Sequence, residues 1–154
     1  MIRIMYWNIN NFGKNRFFFP KKRARDGGGY DYTAIKQAQD RLAIVMSSLE
    51  AHPPDIFVIV EVTRGMNGLP EGSVVYDASS LNLLEKIRNN ATLTPPGTKW
   101  HLVPPLISGA GGKAEGIAVF YKSLVSNSQH LHFIGPWGWP GGVITAGGNP
   151  VVAN

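Results

Sequence analysis

Two short runs of the chain are apolar at almost every position, which is the pattern of strands inside a layered sheet. The first lies within MIRIMYWNIN and spans residues 2–9; the second is DIFVIVEV at 55–62. In the first run large apolar side chains fall on both faces, with Ile2, Ile4 and Tyr6 alternating with Met5, Trp7 and Ile9. We therefore predict two strands that are covered on both sides.

The segment between these runs predicts one long helix over residues 33–51. Its apolar residues recur at spacings of three and four, as expected of a single buried stripe: Ile35, Ala38, Leu42, Val45 and Leu49. Asp31 or Thr33 can cap its start, and Pro53 with Pro54 ends it. The order strand, helix, strand is typical of a βαβ unit with two parallel strands. The segment 13–32, which contains three consecutive glycines, is predicted to be a loop.

The remaining chain predicts a weaker helix and further strands. The helix covers residues 80–89, and strands are expected at 100–107, 115–122 and 129–135. Pro104 and Pro105 make the first of these strands an edge strand or a bent one. Residues 136–154 show turn signals and little periodicity. Together the elements predict a single α/β (α+β) domain over residues 1–154.

Composition narrows the possible chemistry. The chain has 154 residues and no cysteine, which excludes disulfides, thiolate metal sites and cysteine nucleophiles. No secretory leader and no apolar run long enough to span a bilayer is visible, so we expect a cytoplasmic protein without a membrane partner. The net charge is +5, and a basic domain of this size favours anionic partners such as nucleic acid.

Polar side chains stand where the two apolar runs end. Asn8 and Asn10 finish the first run, and Glu61 follows the apolar residues of the second. If these strands are parallel neighbours, Asn8 and Glu61 meet at one edge of the sheet, where α/β proteins bind ligands. Amide and carboxylate oxygens there would suit Mg²⁺ or Mn²⁺. The alternative is that each side chain is a cap or an ion-pair partner.

A basic segment follows the first run. It surrounds Phe17, Phe18 and Phe19 and comprises Lys14, Arg16, Lys21, Lys22, Arg23 and Arg25. Basic and aromatic residues together suit a nucleic acid backbone and unstacked bases. The alternative is a solvated loop whose phenylalanines pack into the core. Because the segment directly follows Asn8, we favour a phosphate-binding loop.

MYWNINNFG resembles the opening motif of the endonuclease/exonuclease/phosphatase superfamily, whose members share the DNase I-like fold. DIFVIVEV resembles the second motif of that family, and AEGIAVFYK resembles a later strand. The resemblance implies a layered sandwich in which Glu61 binds a divalent ion, Mg²⁺ or Mn²⁺, and Asn8 orients the phosphate or the metal-bound group. It further implies that Asn10 reaches the ion through water and that Lys122 approaches the substrate phosphate. From the basic segment, independently of the resemblance, we expect Arg16, Lys21 and Lys22 to be further phosphate contacts.

The chain also departs from the family. The later motifs of these enzymes, an Asp-x-Asn and a terminal Ser-Asp-His, do not occur in this sequence. We therefore expect these residues to form the N-terminal part of the four-layer fold of a longer protein. On this interpretation a C-terminal segment or a partner completes the sandwich, and the 154 residues alone are inactive.

The expected function is that of a metal-dependent phosphodiesterase, in particular a nuclease that hydrolyses nucleic acid. Two alternatives stay open on the residues alone. One is a non-catalytic module that binds nucleic acid or another anion. The other is a phosphatase that acts on a small phosphorylated molecule.

Overall fold

The computed structural model describes residues 1–18, 31–62, 78–109, 115–124, 142–144 and 150–152. Strand β1 (Ile4–Phe12) is followed by a short helix α1 (Lys14–Phe17), a long helix α2 (Tyr32–Ala51) and strand β2 (Ile56–Val62). β1 and β2 are hydrogen-bonded and parallel, with Ile4 opposite Ile56 and Asn8 opposite Val60. The predicted parallel strand–helix–strand unit is confirmed.

The second half of the sheet is antiparallel. Helix α3 (Ala78–Arg88) precedes β3 (Thr98–Ser108) and β4 (Glu115–Leu124), and the strand order is β1-β2-β4-β3. β5 (Gly142–Ile144) and β6 (Pro150–Val152) form a separate antiparallel pair in the region where the sequence predicts only turns. The strand predicted at 129–135 lies outside the described residues. The architecture is mixed α/β, as expected.

The helices begin and end for the reasons that the sequence suggests. Asp31 is the N-cap of α2, and its side chain accepts a hydrogen bond of 3.1 Å from the Ala34 N–H. α2 ends at Ala51, its C-cap is His52, and Pro53 and Pro54 follow directly. Within the described ranges, neither α2 nor any other helix has the length and apolar character needed to cross a membrane.

β3 runs through both prolines of WHLVPPLI at the edge of the sheet. Its pairing with β4 shifts register between Val103 and Leu106, the point where the prolines cannot donate backbone hydrogen bonds. The prediction of an edge or bent strand is therefore confirmed, and β3 is both.

The core lies between the helices and one face of the sheet. Phe57 and Phe120 are fully buried and stack with ring centroids 5.8 Å apart. The same cluster contains side chains from helices α2 and α3 and from strands β2, β3 and β4, namely Val45, Leu49, Leu83, Ile87, Ile59, Trp100 and Ala118. Burying side chains of this size is the main contribution to the stability of the sheet.

The opposite face of β1 is open, which corrects the prediction of a strand covered on both sides. Ile4 is 66% exposed and Tyr6 is 65% exposed, while Met5 and Trp7 pack against the core. β1 is an edge strand, and only one of its faces meets the helices. Asn8 continues the exposed row of Ile4 and Tyr6.

Gly116 permits the close approach of β4 to the end of β2, and Gly116→Ala tests this contact. A Cβ at this position would lie 3.0 Å from the Val62 carbonyl oxygen and 3.2 Å from the Pro105 Cβ, so backbone must move. We expect the substitution to lower the free energy of unfolding by about 1–3 kcal/mol, measured by urea denaturation.

The matched control is Gly13→Ala. A Cβ at Gly13 meets no atom closer than the Asn11 carbonyl oxygen at 4.0 Å, so its effect should stay within about 0.5 kcal/mol. Equal losses of stability in both variants would contradict the steric explanation.

Candidate metal and phosphate site

The carboxyl ends of β1 and β2 bring together two side chains that are far apart in the sequence. The Asn8 Nδ2 donates a hydrogen bond of 2.8 Å to the Glu61 Oε1. The predicted meeting of Asn8 and Glu61 at one edge of the sheet is confirmed. Its cause is the parallel register, which places Asn8 beside Val60 and so next to Glu61.

Both strands leave regular geometry at this point. Asn10 has a φ of 48°, Asn11 of 64° and Glu61 of 60°. Asparagine adopts the left-handed region with little penalty, but for glutamate it is strained. The β1–β2 register shifts between Asn8 and Phe12, so the irregular residues lie directly beside one another. Strain of this kind is common where a protein holds a functional group.

Hydrogen bonds join these residues into a cluster. The Asn10 N–H donates to the Asn8 Oδ1 at 3.0 Å, and the Asn11 N–H donates to the Glu61 Oε2 at 3.3 Å. The Asn11 Nδ2 donates to the Asn10 Oδ1 at 2.9 Å. We call Asn8, Asn10, Asn11 and Glu61 the amide–carboxylate cluster. Each oxygen of the Glu61 carboxylate accepts one hydrogen bond, which fixes the orientation of the carboxylate.

Asn11 is a member of the cluster that the sequence reasoning did not identify. In the sequence Asn11 is marked only by its position after Asn10, and its role depends on the left-handed turn that both residues form. The Asn11 Oδ1 is buried and has no hydrogen-bond partner among the described residues. An unpaired buried acceptor carries a desolvation penalty that a cation or a donor would remove.

The cluster fits a hard divalent ion by its donor atoms. Glu61 supplies a carboxylate, Asn10 an amide oxygen and Asn11 the unpaired amide oxygen, all of the type that Mg²⁺ and Mn²⁺ prefer. In the described part of the chain no group of three or more His, Cys, Asp or Glu side chains could hold a metal. The described residues would therefore offer an ion the amide oxygens and the hydrogen-bonded carboxylate of Glu61.

Arg16 lies beside the cluster, in the short helix α1. Its Nη1 donates a hydrogen bond of 2.9 Å to the Asn10 carbonyl oxygen, and the residue is exposed. Phe17, next to it, is buried against Phe12 with ring centroids 4.9 Å apart. Phe17 therefore packs into the core, as one interpretation of the basic segment expects, and phosphate binding by Arg16 stays a prediction. Lys21 and Lys22 lie outside the described residues.

Lys122 is the candidate that the structure does not bring to this site. β4 is antiparallel to β2, so Lys122 lies beside the first residues of β2, and its Nζ is 3.2 Å from the Asp55 Oδ1. The length of β2 separates it from Glu61 by about 20 Å. The prediction that Lys122 approaches the same phosphate is therefore wrong. Glu115, at the other end of β4, lies at the edge that carries Glu61.

Asp55 organises the end of the sheet where Lys122 lies. Its Oδ2 accepts a hydrogen bond of 2.8 Å from the Arg3 N–H. That bond holds the pKa of the Asp55 carboxyl below its usual value, partial burial opposes the effect, and Lys122 reinforces it. The Lys122 ammonium also lies 5.9 Å from the centre of the Trp100 ring. These contacts identify a structural ion pair.

Comparison with known proteins identifies no family. The chain matches no protein-family model, no curated protein and no solved structure. The resemblance to the DNase I-like enzymes therefore rests on the motifs MYWNINNFG, DIFVIVEV and AEGIAVFYK.

Glu61→Gly and Glu61→Ala together measure the backbone strain at the site. Both remove the carboxylate, but only glycine adopts a φ of 60° without strain. We expect the glycine variant to be more stable than the alanine variant by about 1 kcal/mol in urea denaturation.

Lys99 is the control for this comparison, because it is exposed and lies in regular strand β3. There alanine should be the more stable of the two replacements, by about 0.5–1 kcal/mol. If Glu61→Gly is no more stable than Glu61→Ala, the left-handed conformation of Glu61 stores no strain.

Asp55→Asn tests the ion pair through its pH dependence. Because the folded pKa of Asp55 is lowered, its stabilisation is complete above the ordinary pKa of about 3.9 and is lost as pH falls through the folded pKa. We expect the variant to lose about 1–3 kcal/mol at neutral pH in urea denaturation, a difference that shrinks below about pH 4.

Asp40→Asn is the surface control, because the Lys36–Asp40 pair on α2 is largely exposed. Its effect should stay below about 1 kcal/mol at neutral pH. A loss for Asp55→Asn that is constant down to pH 2 would show that the negative charge does not matter.

Proposed function

We propose that this protein is a metal-dependent phosphodiesterase that acts on nucleic acid. The observation that carries the proposal is the Asn8–Glu61 hydrogen bond of 2.8 Å at the carboxyl ends of two parallel strands. An aligned amide and carboxylate on strained backbone is the arrangement expected of a prepared ligand site.

Each residue of the cluster has a distinct role in this proposal. Glu61 is the charged ligand of Mg²⁺ or Mn²⁺, and Asn10 and Asn11 add amide oxygens. Asn8 holds the Glu61 carboxylate through its Nδ2 and so orients the metal-bound group. A bound ion would stabilise the negative charge that develops on the phosphoryl oxygens.

The preference for nucleic acid rests on charge. The chain carries a net charge of +5, and exposed Arg16 is tied to the carbonyl of Asn10 within the cluster. Guanidinium groups bind phosphate oxygens through two parallel hydrogen bonds. The binding of a polyanionic substrate is strengthened both by the net charge and by Arg16, whereas the binding of a small phosphorylated molecule is strengthened only by Arg16.

The finer assignment of the fold is also part of the proposal. A sheet with helices on one face and exposed Ile4 and Tyr6 on the other corresponds to one half of a DNase I-like sandwich. In that fold a second sheet packs on the open face. The exposed row then becomes part of the interior of the sandwich.

One observation favours a second candidate, a non-catalytic module that binds nucleic acid. Among the described residues no histidine lies at the cluster to activate water. The His101 ring stacks on the Tyr121 ring with centroids 4.8 Å apart, and its Nε2 lies 2.8 Å from the Ser123 hydroxyl oxygen. In the sheet His101 pairs with Tyr121, so it lies near the Lys122 end. A module of this kind would bind oligonucleotides in a salt-dependent manner without needing metal.

Glu61→Gln separates the two candidates, because glutamine has the size of glutamate and keeps an acceptor oxygen for one of the Asn8 and Asn11 donors but removes the charge. We expect Mg²⁺ or Mn²⁺ to raise the Tm of the wild-type protein, with a stabilisation of about 2.7 kcal/mol at 100 times Kd. Glu61→Gln should abolish the rise, as measured by thermal denaturation.

Glu85→Gln, an exposed position on α3, removes the same charge elsewhere and should leave the rise unchanged. If all three proteins respond alike to the ion, Glu61 is not a ligand. Oligonucleotide binding that falls with salt and ignores Mg²⁺ would then support the binding module.

A further inference from the structure

We propose that the cation and the phosphate group bind to this protein as a mutually dependent pair, and that Arg41 positions Arg16 for the phosphate. The inference rests on the proposed function and deepens it. It assigns a role to Arg41, which lies in α2 well outside the basic segment.

The cluster by itself is a weak cation site. Among the described residues, Glu61 is the one carboxylate that is hydrogen-bonded into it, and the other oxygen donors of the cluster are neutral amides. Mg²⁺ takes six oxygen ligands and is usually held by one or two carboxylates together with substrate phosphates. A phosphate oxygen is therefore the ligand whose charge the cluster lacks.

Two guanidinium groups donate hydrogen bonds to the main chain of the segment from Asn10 to Arg16. The Arg16 Nη1 donates to the Asn10 carbonyl oxygen at 2.9 Å, and the Arg41 Nη1 donates to the Arg16 carbonyl oxygen at 3.3 Å. The Arg41 Nη2 is held in turn by the Gln37 Oε1 at 3.4 Å. Arg41 thus connects α2 to the main chain of Arg16 and fixes where the Arg16 side chain begins.

Neither arginine is neutralised within the described part of the chain. The ion pairs found there join Lys36 to Asp40 and Lys122 to Asp55. A divalent ion at Glu61, with Arg16 hydrogen-bonded to Asn10 and Glu115 at the same edge of the sheet, still leaves an excess of positive charge. That excess opposes binding of the ion alone and attracts an anion.

A phosphodiester supplies both the missing ligand of the ion and the missing negative charge. Its oxygens can complete the shell of the ion at Glu61 and accept hydrogen bonds from Arg16, which is connected to Glu61 through Asn10 and Asn8. The ion should therefore strengthen phosphate binding, and by reciprocity phosphate should strengthen ion binding by the same factor.

Isothermal titration with Mg²⁺ tests this dependence. One sample contains a charged dinucleotide in which methylene replaces both bridging oxygens, so that neither bond to phosphorus can be hydrolysed. The other contains the uncharged methylphosphonate dinucleotide. We expect the charged compound to lower the Kd for Mg²⁺ about tenfold or more, and the uncharged compound to leave it unchanged. Titrating the charged dinucleotide with and without Mg²⁺ should give the same factor.

Variants of the two arginines locate the effect. In Arg16→Gln and Arg41→Gln the factor should shrink to about threefold or less, while Mg²⁺ alone binds no more weakly than to wild type, because a repulsive charge is gone. Arg41→Lys should retain part of the factor. Lys86 is an exposed residue in the last turn of α3, so Lys86→Gln removes an equal charge and should retain the whole factor.

The outcomes separate this inference from the proposed function. If Mg²⁺ binds through Glu61 with the same affinity in the presence of the charged and the uncharged dinucleotide, the proposal of mutual dependence is wrong and the metal site stands. If Arg41→Gln weakens binding of Mg²⁺ alone, Arg41 supports the cluster only structurally. If Mg²⁺ binds in neither case and Glu61→Gln changes nothing, the proposed function fails as well.

Discussion

The parallel pairing of β1 with β2 is the constraint on which the candidate site depends. Asn8 and Glu61 are 53 positions apart in the sequence, and the register of the two strands alone brings them within hydrogen-bonding distance. That register is maintained by the helix-facing side of the sheet, where Phe57 and Ile59 are fully buried. Packing on one face therefore determines the chemistry at the edge.

Beyond the regular ladder the backbone itself positions the donors. Asn10 and Asn11 turn the chain through the left-handed region, which aims the Asn11 N–H at the Glu61 carboxylate. Arg16 then ties the Asn10 carbonyl to α1, and Phe17 anchors that helix in the core. The polar cluster is thus fixed by covalent continuity to residues that are held by hydrophobic burial.

Features within the strand–helix–strand unit were predictable from the sequence, whereas features set by the strands that follow it were not. The stripe of α2 and the meeting of Asn8 with Glu61 follow from periodicity and from the βαβ rule. The direction of β4 does not, so Lys122 was assigned to the wrong end of the sheet. The open face of β1 depends on its edge position, and the roles of Asn11 and Arg41 depend on a turn and a helix contact that no spacing encodes.

The alternation along β1 determines what a one-residue shift in the β1–β2 register would change. Trp7 points to the core and Asn8 to the open side, so a slip of the ladder by a single residue would exchange an indole for an amide. The mispaired sheet would lose both its packing and the geometry of the amide–carboxylate cluster. Core packing and cluster geometry are therefore set by the same register in this chain.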